Sequence, residues 1–149
     1  MQQLIDILKG EYTLYQDLYK LADRKTDLIV EEEIDKLENV ITKEEKLVGQ
    51  LKQLENKRQQ LTGQRSLTEF INDANPQNQE RLGDLRNKLL KVTTKLKETN
   101  QLNNKLLKNA LQLTNLNLNL LTNNSKQGTY GKKGSMEEQG SDSMLNHKA

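Results

Sequence analysis

Apolar residues recur along this chain at helical spacing. Leu82, Leu85, Leu89, Val92 and Leu96 step by 3, 4, 3 and 4 residues and draw one seam along a long helix. Asn75 is a good N-cap, and Pro76 a good first helical residue because it has no N–H to lose. The spacing predicts a helix over about 77–123. Upstream, Leu4, Leu8, Glu11, Tyr15, Leu18, Ala22, Lys25 and Ile29 alternate by 4 and 3, predicting a first helix over about 3–29. Glu11 and Lys25 are the charged exceptions on that seam. Leu14, Leu21, Tyr12 and Tyr19 widen its face, and tyrosines there read as packing residues with a wet hydroxyl. The step from Ile29 to Ile34 is five residues and breaks the phase. The stretch 27–33 therefore reads as a tight connection between antiparallel helices, with one continuous rod as the alternative.

A second helix is predicted over about 31–62, with Ile34, Leu37, Ile41, Glu44, Val48, Leu51, Leu54 and Leu61 on its seam. Glu31, Glu32 and Glu33 would lie in its first turn and Lys57 and Arg58 in its last, both favourable to the helix dipole. Gly63 is a plausible C′ residue. Ser66 and Glu69 form a capping-box pattern that opens a short helix over 67–72, where Phe70 is expected to plug the end of the bundle.

Past Leu102 the apolar arc of the long helix widens to roughly 220°. Leu106, Ala110, Leu113 and Leu120 are expected to continue the first seam. Leu107, Leu111, Leu118 and Leu121 form a stripe beside it, with Leu116 on the other flank. A helix in a small bundle needs about half that arc. The surplus is read as a partner site; a better-buried bundle end or a dimer contact is the alternative. If the second and long helices pair antiparallel from the Pro76 loop, the second covers the long one only to about Lys108. The leucine-rich end then overhangs the turn near Val30. The alternation from Leu116 to Leu120 is also strand-like, and Asn is a weak former of either structure.

The fold class expected is therefore all-α: an elongated antiparallel helical hairpin or bundle over 1–124 with long coiled-coil-like helices. Residues 125–149, rich in Gly, Ser and Lys, are expected to form a disordered tail. Composition agrees with long helices, since only 3% of the 149 residues are aromatic and 30% are charged. The net charge of +2 and the absence of a basic cluster point away from nucleic acid. With no cysteine, disulfides and thiolate metal sites are excluded. The opening residues do not read as a signal peptide and no run is long enough to insert in a membrane, so a cytoplasmic protein is expected.

No catalytic constellation is present. The lone histidine, His147, has no metal-ligand partner, and no cofactor motif occurs. Glu31–Glu33 and the pair Glu44 and Glu45 read as solvated, salt-bridging faces.

Three groups of residues resemble the FlgN family of flagellar export chaperones over about residues 4–131. The first is Leu4, Leu8, Glu11, Tyr15 and Leu18, followed by Leu51, Leu54, Glu55 and Arg58. The second is Asn100, Asn103, Leu106 and Leu107. The third is Tyr130 with Gly131. The resemblance implies a non-enzymatic chaperone that binds C-terminal segments of hook–filament junction proteins. It would keep them unassembled and deliver them to the flagellar type III export gate. It further implies that the C-terminal part holds the client and that Tyr130 docks at the cytoplasmic domain of the gate. Joined to the stripe pattern, the expected client site is Asn100, Asn103, Leu106, Leu107, Ala110, Leu111, Leu113, Leu116, Leu118, Leu120 and Leu121. The alternatives are a related chaperone with another client, or a coiled-coil scaffold that self-associates as a homodimer through both stripes.

Overall fold

A computed structural model describes residues 1–122. The expected tail, Tyr130 and His147 lie outside the described residues. Within them the chain is all-helical: α1 (Gln2–Val30), α2 (Ile34–Thr62), α3 (Leu67–Asn72) and α4 (Pro76–Leu121). The local signals act where the sequence puts them. The Asn75 side chain accepts from the backbone N–H of Asn78 at 2.9 Å, with Pro76 opening α4. Ser66 and Glu69 close a reciprocal capping box on α3. Gly63 ends α2 at φ +62°, a backbone that L side chains rarely adopt.

The phase break does separate two helices. Glu31, Glu32 and Glu33 are the connection itself rather than the first turn of α2, and Glu32 takes a left-handed φ of 59°. α2 then returns antiparallel along α1. Its end lies beside the start of α1, where a Cβ on Gly10 would stand 3.0 Å from Leu54 Cδ1. Its first half faces the end of α1, where Lys25 meets Glu44.

α4 does not pair chiefly with α2, as the antiparallel arrangement supposed. Its main partner is α1, and the two run parallel. Leu4, Ile5 and Leu8 pack with Leu82 and Leu85. Further along, Leu18 and Ala22 pack with Leu96, and Asn103 bonds to Ala22 and Thr26. α1 is thus the central rod, flanked by α2 and α4, which scarcely meet each other. This explains why α1 buries nine residues and α2 only three. Α helix between two partners hides two stripes, and a helix with one partner hides one.

Two apolar clusters hold the rod. At the start of α1, Phe70, Leu67, Ile71 and Ala74 pack over the Leu4–Leu82 cluster and close that end of the bundle. In the middle, Tyr15, Leu47, Val48 and Leu51 pack on Leu18, Ala22 and Leu96. Each fully buried leucine contributes about 1.5–3 kcal/mol.

Candidate functional site

The register between α1 and α4 determines what is left uncovered. Thr26 and Asn103 are 77 residues apart in sequence and lie level with each other. The same offset puts Val30, the last residue of α1, beside Leu107. The fourteen residues from Lys108 to Leu121 then continue past the end of α1 for roughly 21 Å.

This projecting end carries most of the expected client residues. Leu106, Leu107 and Leu111 are half-buried, Ala110 is exposed, and Leu118 is 40% exposed. Leu113, Leu116, Leu120 and Leu121 are open to solvent, from 54% at Leu116 to 84% at Leu121. At 3.6 residues per turn, Leu107, Leu111, Leu118 and Leu121 lie within about 60° of the direction in which Leu96 faces α1. The continued α1-facing seam therefore runs through Leu107 rather than Leu106, because it passes through the buried Asn100 and Asn103. Leu106, Leu113 and Leu120 form the flank, about 80–120° round the helix, and Leu116 lies behind.

The α1–α2 connection supplies the other wall. Leu28, Ile29, Glu32, Glu33, Ile34 and Leu37 face Leu107, Ala110, Leu113, Thr114 and Asn117 across an open groove. Val30 and Ile34, exposed to 66% and 63%, extend the apolar surface beyond it. The α1–α2 residues did not enter the sequence-derived site. The signal was present, however: Val30 and Ile34 are apolar residues on either side of three glutamates at a turn.

Asn100 and Asn103 stand apart from the exposed leucines. Both are buried against α1. The Asn103 side chain is spent there: Nδ2 donates to the Ala22 carbonyl at 2.9 Å, and Oδ1 accepts from Thr26 Oγ1 at 2.6 Å.

Two further polar sets lie between α1 and α2. Lys25 Nζ donates to Glu44 Oε2 at 3.0 Å, with the side chains only 2% and 4% exposed. Glu44 is therefore not part of a solvated face. Arg58 Nε donates to Glu55 Oε2 at 3.1 Å and its Nη2 binds the other carboxylate oxygen. Glu11 lies 3.8 Å from Arg58 Nε. Burial, and then the charge of Glu55, push the Glu11 carboxyl up to about 7. Arg58 holds Glu55 below the usual range, and burial raises the Tyr15 hydroxyl. None of these sets has a nucleophile–base geometry. Among the described residues no group of three His, Cys, Asp or Glu could hold a metal ion, and no helix is long and apolar enough to cross a membrane.

The projecting end leaves an apolar surface that no other described element covers. The family model described as FlgN protein matches residues 1–138. The chain belongs to the FlgN family. It is also 26% identical over 136 residues to the uncharacterized protein YvyG of Bacillus subtilis (strain 168), covering 87% of this chain and 85% of that protein. No solved structure matches. FlgN proteins are flagellar export chaperones, and the family binds hook-associated proteins. Several of the motif residues that carried the resemblance sit inside the bundle. Leu4, Leu8, Glu11, Leu18, Asn100 and Asn103 are buried, so much of this FlgN pattern records how α1 packs with its neighbours.

Proposed function

We propose that this FlgN-family chaperone binds the C-terminal segments of hook–filament junction proteins on the projecting end of α4. The surface would be Leu106, Leu107, Ala110, Leu111, Leu113, Leu116, Leu118, Leu120 and Leu121, with Val30, Ile34 and Leu37 as its second wall. Asn100 and Asn103 would act from inside, setting how far that end projects. The supporting observation is the uncovered end itself: α4 outruns α1, its main partner among the described residues, and its leucines are exposed there. Client tails that polymerise through amphipathic helices are adhesive when free, and a helix laid in this groove would cover their apolar stripe. Such binding holds the client unassembled in the cytoplasm until delivery to the export gate. Tyr130 would make the gate contact, a role that rests on its family motif alone.

Titration calorimetry with C-terminal segments of hook-associated proteins tests this reading. Micromolar or tighter binding is expected, lost when Leu107, Leu111 and Leu118 are replaced together by Ala, with helicity unchanged by circular dichroism. Equal affinity in the triple variant would refute the assignment. An absence of binding together with a stable dimer in light scattering would favour the self-associating scaffold.

A further inference from the structure

The groove beside the projecting end has one charged wall, and the charge has one sign. Glu32 and Glu33 line it directly, and Asp27, Glu31 and Asp35 are exposed around the same turn. Lys36 pairs with Glu33 at 3.6 Å on the same turn. α4 brings no charge to the groove beyond Lys108. From Asn109 to Thr122 it has no charged residue. Lys108 and Lys105 lie about 120° and 180° round the helix from the α1-facing direction, away from the groove.

Helix stability explains part of this cluster. Glu33 and Asp35 lie at the start of α2, where negative charge is favourable. It does not explain Asp27, which lies in the last turn of α1, where negative charge is unfavourable; Glu31 and Glu32 stand between that end and the start of α2. Glu32 is also held at φ 59°, which costs a residue with a Cβ about 1–2 kcal/mol and suits Gly or Asn. A glutamate thus lines the groove at a position whose backbone disfavours it.

We propose that the partner of this groove is an amphipathic helix carrying Lys or Arg beside its apolar stripe, and that Glu32 selects for that charge. The proposal rests on the client-binding reading above and specifies its chemistry. Leucines supply the apolar contact. The carboxylates of Glu31, Glu32 and Glu33 meet the basic flank, reject acidic helices, and fix which side of the groove the flank takes.

The test uses the full chain and the C-terminal segment of a hook-associated protein in two forms: native, and with its Lys and Arg replaced by Gln. Both are titrated at low salt and at about 0.5 M salt, where screening shortens the reach of exposed charges to a few ångströms. The native segment is expected to bind several-fold more tightly at low salt, with the advantage largely lost at high salt. Glu32→Gln should remove about 2- to 5-fold of that advantage. Glu32→Gly should remove as much while leaving the melting temperature unchanged or raising it by a few degrees. Neither variant should change binding of the neutral segment. Equal, salt-independent binding of both forms overturns the proposal and leaves the client-binding reading intact. Failure of both forms to bind at either salt overturns that reading and the proposal with it.

Discussion

Asn103 on α4 donates its side-chain amide to the main-chain carbonyl of Ala22 on α1 at 2.9 Å, in a setting closed to water. This polar contact ties a side chain to a backbone in an otherwise sliding, leucine-lined interface. Apolar packing tolerates a shift of one turn far better than a buried amide does, because a displaced amide loses both its partners. The bond therefore sets the point at which α4 leaves the cover of α1.

Asn103→Ala is expected to destabilise the fold by about 1–3 kcal/mol, since it removes one buried donor and one buried acceptor contact. Urea denaturation with an unchanged slope would measure it. A loss below about 0.5 kcal/mol would mean that the register is carried by the leucines alone.

The ion pair between Lys25 and Glu44 makes a stronger demand. Glu44→Gln or Lys25→Met alone leaves a partner charged and buried without its counter-charge, with an expected loss of about 3–5 kcal/mol. Replacing both residues by apolar ones of similar volume should recover most of it. A double-mutant cycle by denaturation gives the coupling directly. Additive losses would mean that the pair is solvated in solution.

Stability should also depend on pH through Glu11. Its carboxyl titrates near 7 in the fold, against 4.5 for the ordinary group. The folded chain thus binds more protons than the unfolded chain between those values, and stability falls as pH rises through that window. Glu55 acts in the opposite direction: its pKa is lowered, so its contribution is lost in acid below the ordinary carboxylate range. Glu11→Gln should flatten the slope between pH 4.5 and 7 and raise the melting temperature at pH 8 relative to the parent. Thermal melts across pH check both statements, and a variant less stable at pH 8 would contradict them.

Much of this fold is legible in the chain. Asn75, Pro76, Ser66, Glu69 and Gly63 mark helix ends by local chemistry that acts within a few residues, and the five-residue step at Ile29 marks the hairpin. Pairing is less legible. Periodicity says that α4 has an apolar seam but not which helix that seam meets, so a parallel α1–α4 pair and an antiparallel α2–α4 pair look alike. Both arrangements leave the same end of α4 uncovered, which is why the overhang was legible although the pairing was not. Glu11, Lys25 and Glu44 each break an apolar seam. Read singly they resemble surface charges; only the α1–α2 register brings Lys25 to Glu44. Asn100 and Asn103 were visible as unusual polar seam residues, yet their direction toward Ala22 and Thr26 is a tertiary fact.

Hydrogen exchange with and without a hook-associated C-terminal segment would report where the client sits. Added protection is expected on α4 beyond Leu106 and across residues 28–37 at the α1–α2 connection, with the Leu82–Leu96 shaft unchanged. Protection confined to the shaft, or to the outer face of α2, would contradict it and place the client on another surface of the bundle.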